Sequence, residues 1–98
     1  MNAATAAPGL LGDTSARDYA RKLTLFNAFA APEIRLAIAS LALEPGMRVL
    51  DAGCGTGEAL GWLSAAVQPG GTVVGIDLST AHVTAARTKA PEGSLVIQ

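Results

Sequence analysis

The chain has 98 residues, 50% of them hydrophobic, and its seven Lys or Arg and eight Asp or Glu leave a net charge of -1. This length supports one small core and excludes a second domain. The basic residues Arg17, Arg21, Lys22, Arg35, Arg48, Arg87 and Lys89 are scattered among acids, which excludes the concentrated positive surface that a nucleic-acid backbone requires. A single cysteine, no cluster of cysteine and histidine at zinc-ligand spacing, and no apolar run near the ~20 residues that span a bilayer point to a cytoplasmic protein with no structural metal and no membrane partner.

Met1 to Gly12 carries no basic residue, is interrupted by Pro8 and Gly9 and has no continuous apolar stretch, so it does not read as a signal peptide. Without a hydrophobic period it is expected to be a flexible tail over 1–12, with the folded part over 13–98. Thr14 or Ser15 can cap an amphipathic helix in which Tyr19, Leu23, Phe26 and Ala30 recur on one face while Arg17, Arg21 and Asn27 fall elsewhere. Pro32 suits the first turn of a second helix, whose face is Ile34, Ile38 and Leu41 and which stops at Glu44-Pro45-Gly46. Met47 to Asp51 is a short apolar run that ends in an acid and meets glycines at once, the pattern of a buried parallel strand. Helical spacing resumes from Glu58 to Val67 through Leu60 and Leu63, until Gln68-Pro69-Gly70-Gly71 breaks it. Thr72 to Asp77 repeats the strand that ends in an acid, and Ser79 can cap a helix running to about Ala90. Pro91-Glu92-Gly93 then turns into a third strand at Leu95-Val96-Ile97.

Strands and helices alternating at this spacing force parallel pairing through right-handed crossovers, which gives a Rossmann-like, doubly wound α/β sheet. A parallel sheet needs cover on both faces, yet three strands are visible and the last stops at Gln98. The pattern therefore reads as the first part of a larger domain, with its sheet incomplete.

The chemistry is concentrated in Val49-Leu50-Asp51-Ala52-Gly53-Cys54-Gly55-Thr56-Gly57, a strand running into a glycine-rich turn at the mouth of a helix. Glycine lets the chain reverse tightly and lets a ligand touch backbone. Twenty positions past Gly57, Asp77 ends the second strand, where a carboxylate can accept both hydroxyl hydrogens of a ribose. The dinucleotide pattern G-x-G-x-x-G fails in both registers, because it meets Glu58 when started at Gly53 and Leu60 when started at Gly55. The dehydrogenase pattern T-G-x-x-x-G-x-G fits Thr56, Gly57 and Gly61 but breaks at Leu63, and no lysine follows the glycines as a P-loop needs. Glu58 at the helix mouth would also repel phosphate. A ligand with a positive centre suits the turn better.

Asp51-x-Gly53-x-Gly55-x-Gly57, preceded by Arg48-Val49-Leu50 and followed by Gly75-Ile76-Asp77-Leu78-Ser79, resembles the first two motifs of class I S-adenosylmethionine-dependent methyltransferases. Within that family, "LEPGMRVLDAGCGTG" and "GGTVVGIDLS" are most similar to the group that includes the ubiquinone/menaquinone-biosynthesis and arsenite methyltransferases. The resemblance implies that Gly53, Cys54 and Gly55 hold the methionine portion of S-adenosyl-L-methionine largely through backbone. It implies that Asp51 supports the loop and its water, that Asp77 binds the ribose, and that Leu78 lines the adenine. The implied reaction is direct in-line methyl transfer to a small-molecule acceptor, with no covalent enzyme intermediate and no catalytic acid or base to name. The resemblance also places the first strand between the second and a fourth. Without that fourth strand, Met47 to Asp51 would expose an apolar edge, and the isolated segment is expected to be inactive and to self-associate there. Two other readings compete: a non-catalytic nucleoside-binding module of the same fold, and an NAD(P)-dependent oxidoreductase with a degenerate glycine loop.

The remaining residues that invite a role read as structural. Cys54 has no histidine near it in sequence and is expected to be a small residue between glycines. His82 shares a helix face with Lys89 and is expected at the solvated surface. Trp62 is expected to cover the sheet. Tyr19 is expected in the core, with contact to the cofactor as the alternative, and Arg17, Arg21 and Lys22 on a solvated helix face.

Overall fold

The computed structural model describes residues 19–98. Its elements are α1 (Tyr19–Ala39), β1 (Arg48–Ala52), α2 (Leu60–Val67), β2 (Thr72–Ile76), α3 (Thr80–Lys89) and β3 (Leu95–Ile97). The strands form one parallel sheet in the order β1-β2-β3, with Val49 opposite Val73, Asp51 opposite Gly75 and Gly75 opposite Val96. This is the Rossmann-like α/β arrangement that the alternation of apolar runs predicts, with its sheet incomplete. The expected caps at Thr14 and Ser15, the expected tail and the side chain of Tyr19 lie outside the described residues.

Burial alternates along each strand, as the two-residue period of a pleated backbone requires. Val49, Asp51, Val73, Gly75 and Val96 lie on the covered side, while Leu50, Leu95 and Ile97 are exposed on the other. The cover is α2 and α3, which contribute Leu60, Leu63, Val67, Val83 and Ala86 to a core completed by Val73, Val96 and Cys54. Leu60 and Val67 are fully buried, and side chains of this kind contribute about 1.5–3 kcal/mol each by leaving water. Arg87 ties α3 to β3 by donating from Nε and Nη2 to the Val96 carbonyl at 3.2 and 3.1 Å.

Two sequence expectations about packing change here. β1 is an edge strand with one covered face rather than a strand buried on both, and Leu50 is 61% exposed. The two helices expected on either side of Pro32 are one continuous helix, α1, with Pro32 inside it. Proline removes the hydrogen bond to the carbonyl four residues back, that of Ala28. Ala28 and Pro32 are both exposed, so water can satisfy that carbonyl and the helix continues.

The packed face of α1 departs from the expected one at Phe26 and Leu41 and adds polar positions. Leu23, Thr24, Asn27, Ala30, Ala31, Ile34 and Ile38 are the partly buried positions, so Leu23, Ala30, Ile34 and Ile38 lie where expected, whereas Phe26 is 61% exposed and Leu41, beyond the helix end, is exposed too. Asn27 turns inward because Glu58 offers it a carboxylate, a partner 31 residues away that helical periodicity cannot reveal. Trp62 leaves the sheet to Leu60, Leu63 and Val67 and packs beneath Arg35 of α1, whose Cζ lies 5.6 Å from the ring centroid.

Candidate functional site

β1 ends at Ala52, and the chain turns through Gly53 to Ala59 before α2 begins. The turn is pinned to the end of β2. The amides of Gly53 and Cys54 both donate to the Ile76 carbonyl at 2.8 Å, and that of Gly55 donates to Asp77 Oδ2 at 2.9 Å. Gly53 and Gly55 have φ of 72° and 58°, the left-handed region that glycine enters without strain. They differ in surroundings. A Cβ on Gly55 would lie 2.6 Å from Leu23 Cδ2 of α1, whereas one on Gly53 would meet nothing within 4 Å. Gly55 is closed off by the protein, and Gly53 is open to a ligand.

Gly53 lines a cleft of about 410 Å3 together with Ile76, Asp77, Leu78 and Gln98. Of the residues read as cofactor-binding, Gly53, Asp77 and Leu78 thus meet at one cleft. Cys54 and Gly55 are buried and do not line it, and Asp51 lines a neighbouring cleft with Ile34, Ile38 and Ala59. Leu78 is 76% exposed, an apolar side chain that nothing among the described residues covers. Gln98 donates to the Leu78 carbonyl at 3.2 Å and to Thr80 Oγ1 at 2.8 Å, which fixes one rim. Neither Ile76 nor Gln98 was marked as a lining residue by any sequence pattern.

Asp77 organises the site. Its Oδ2 accepts from Gly55 and its Oδ1 accepts from the Ser79 amide at 2.9 Å, so the carboxylate holds the turn and starts α3. Ser79 caps α3 as expected, its Oγ accepting from the His82 amide at 3.1 Å. Asp51 makes no hydrogen bond to the loop among the described residues; Asp77 and the Ile76 carbonyl support it instead. Burial, and then the negative charge of Asp77, raise the Asp51 pKa. Burial and the same two carboxylates push the Cys54 thiol up to about 11, so at neutral pH it stays protonated and is no nucleophile.

His82 is a correction. It is buried, not solvated, because the first turn of α3 directs it toward Asp77: Nδ1 lies 3.4 Å from Oδ1. Its Nε2 is buried without a hydrogen-bond partner among the described residues. Glu58 carries more than sequence reasoning gave it. Its Oε1 accepts from Asn27 at 3.0 Å and from Thr56 at 2.5 Å, and its Oε2 pairs with Lys89. Burial alone would raise its pKa, but the bonds from Lys89, Thr56 and Asn27 win and hold it down to about 2. The only signal in the sequence was the spacing Thr56-x-Glu58.

A family model described as a methyltransferase domain matches residues 43–95, which include the glycine turn and Asp77. Nocamycin O-methyltransferase of Saccharothrix syringae is 40% identical over 67 residues, covering 68% of this chain and 24% of that protein. The crystal structure of a SAM-dependent methyltransferase from Geobacter sulfurreducens, in complex with S-adenosyl-L-homocysteine, is similar with a TM-score of 0.55 and 36% identity over 68% of this chain and 28% of that one. Another such complex, from Thiobacillus denitrificans, has a TM-score of 0.56 and 30% identity over 76% of this chain and 35% of that one. The chain spans about a quarter of the length of the O-methyltransferase it matches. With a methyltransferase-domain model covering more than half of its residues, and the turn and acid of that fold in place, the chain belongs to the class I S-adenosylmethionine-dependent methyltransferase family.

Proposed function

We propose that this chain supplies the first half of an S-adenosyl-L-methionine site in an enzyme that methylates a small-molecule acceptor. The observation that carries the reading is the state of the turn's amides. The N–H groups of Gly53, Cys54 and Gly55 are all committed inside the protein, to Ile76 and Asp77. Phosphate-binding glycine turns work by presenting free amides to an anion. This one presents the bare Cα of Gly53 beside the carboxylate of Asp77, with Asp51 lining the neighbouring cleft, surroundings suited to a ligand bearing an ammonium and a sulfonium. The same feature argues against an NAD(P) pyrophosphate.

In this reading the backbone of Gly53 meets the methionine portion, and Cys54 and Gly55, buried behind it, hold that backbone in place through their amides. Asp77 takes the ribose hydroxyls, because a carboxylate has about four acceptor positions and the Gly55 and Ser79 amides occupy two. Leu78 covers the adenine, and Asp51 adds negative potential near the sulfonium. When bound, the cofactor supplies an already activated methyl group, so the protein needs only to orient it and exclude water. No residue of the chain is assigned a proton-transfer role.

Calorimetric titration of S-adenosylhomocysteine into the chain, with NAD in parallel, tests the proposal. S-adenosylhomocysteine should bind and NAD should not. Asp77→Ala should abolish binding, but it also releases two amides, so Gly53→Ala is the cleaner control. Its methyl meets nothing in the fold, costs about 1–2 kcal/mol of backbone strain, and narrows the cleft. Stabilisation by NAD alone would overturn the reading.

A further inference from the structure

Outside the cleft, the glycine turn is gripped by a closed ring of polar side chains from three elements. Lys89 of α3 donates to Glu58 and, at 3.4 Å, to Thr24 Oγ1 of α1. Thr24 and Thr56 hydroxyls lie 3.3 Å apart, and Thr56 donates to Glu58 Oε1 at 2.5 Å. Because the Thr56 proton goes to Glu58, Thr24 is the donor to Thr56. The bonds therefore run in one sense, Lys89 to Thr24 to Thr56 to Glu58, and Lys89 closes the ring on the other carboxylate oxygen. Chains ordered in this way polarise and strengthen one another. Asn27 adds a second bond from α1 to the same carboxylate.

Thr56, 1% exposed, sits between Gly55 and Gly57, both at positive φ. Holding its hydroxyl fixes a segment that glycine would otherwise leave free to rotate. Gly55 in turn donates to Asp77, so a displacement of Thr56 passes one residue along to the carboxylate facing the cleft. Glu58 itself does not line that cleft.

We propose that Glu58 is a positioning residue of the cofactor site: by clasping Thr56, Asn27 and Lys89 it locks the glycine turn between α1 and α3, and ligand affinity depends on it although it never reaches the ligand. The proposal rests on the cofactor reading above for the ligand's identity, but not for the clasp. Fixed main-chain geometry, not a new contact, is what the residue contributes. The ionised state of Glu58 is maintained throughout the neutral and mildly acidic range.

Calorimetry with S-adenosylhomocysteine and hydrogen exchange of the turn amides, on the chain and its variants, test this together. Glu58→Ala should weaken binding at least tenfold and speed exchange of the Gly55 and Gly57 amides. Asn27→Ala, a milder change that spares the fold, should weaken binding about threefold. Lys89→Glu should weaken it tenfold or more, and adding Glu58→Lys, which restores the ion pair in reverse, should return it to within threefold of the parent. A purely structural contribution to stability predicts no such rescue of affinity. Parental affinity in folded Glu58→Ala, or failure of the reversed pair to rescue, would overturn the proposal. If the parent chain binds no S-adenosylhomocysteine, the cofactor reading fails and exchange decides the clasp alone: faster exchange of Gly55 and Gly57 in Glu58→Ala upholds it, and unchanged exchange ends it.

Discussion

The two faces of the sheet are made from the same strands and differ in almost everything else. On one, Val49, Val73, Gly75 and Val96 lie under α2 and α3, and the strand ends lead directly into the glycine turn and Asp77. On the other, Leu50, Val74 and Leu95 form one apolar row in register, and Ala52, Ile76 and Ile97 form another, with Leu50, Leu95 and Ile97 exposed. A parallel sheet is ordinarily covered on both sides. The difference separates two tasks. The covered face fixes the geometry of the turn, and the open face carries apolar surface that contributes to the fold only when something packs on it.

Adjacent valines in β2 give the largest test of that contrast, since Val73 is 2% exposed and Val74 faces the open side. Val73→Ala should cost about 2 kcal/mol, from two lost methyl groups and the cavity they leave. Val74→Ala should cost less than about half as much. In so small a core the first loss is a large share of the total stability, so urea melts should separate the two variants clearly. Equal costs would mean that the two faces are equally covered in solution.

Association comes next in size. Among the described residues β1 leaves one edge unpaired and places exposed Leu50 beside it, a combination that templates pairing with another chain. We expect sedimentation of the chain to show concentration-dependent self-association, and Leu50→Lys to suppress it with a stability change within ~0.5 kcal/mol. A monomer at every concentration would place the protective feature elsewhere.

The covered face was the more legible of the two. The apolar runs, the acids that end them and the alternating glycines are local signals, and they located β1, β2, β3, the turn and the Ser79 cap within a residue or two. What escaped depends on partners far along the chain. Asn27 turns inward for Glu58, 31 residues on, and Lys89 reaches Thr24 across 65 residues. His82 is drawn under by the start of α3 and Asp77, while its pairing with Lys89 on a helical wheel suggested the surface. Pro32 read as a boundary because a proline's effect was weighed without the exposure that makes it tolerable. Local pattern reveals which residues form an element; which side of α1 meets the fold is set by what it meets.

Asp51 offers a smaller effect with opposite signs for stability and binding. Burial and the charge of Asp77 raise its pKa, so the folded state binds its proton more readily than the unfolded state. Ionised Asp51 therefore destabilises the fold above its folded pKa, and that penalty disappears as pH falls toward the ordinary carboxylate range. Asp51→Asn should raise the melting temperature at pH 7, with the gain fading in acid. It should also weaken S-adenosylmethionine more than S-adenosylhomocysteine, by about two- to fivefold, because only the former carries the sulfonium charge. An unchanged ratio would remove Asp51 from the field felt by the ligand.

The expected stability change at His82 is small, and its sign is informative. The ring lies on the covered side with Nε2 buried and without a partner among the described residues, a state that costs free energy because the atom has lost water and gained nothing. Leucine has similar bulk and no such atom, so His82→Leu should leave the fold as stable or more stable by up to ~1 kcal/mol. A residue kept only for packing would then be better replaced. The 3.4 Å approach of Nδ1 to Asp77 supplies the other side of the balance: without it the carboxylate keeps its two amide donors but loses the polar neighbour on α3. If that neighbour helps aim Asp77 at a ribose, His82→Leu should weaken S-adenosylhomocysteine several-fold while His82→Asn, which retains a donor near the Nδ1 position, should bind nearly as the parent. Greater stability with weaker binding would mark His82 as tolerated for the site's sake, as function-bearing positions often are. Unchanged binding in both variants would make it an unsatisfied core residue and nothing more.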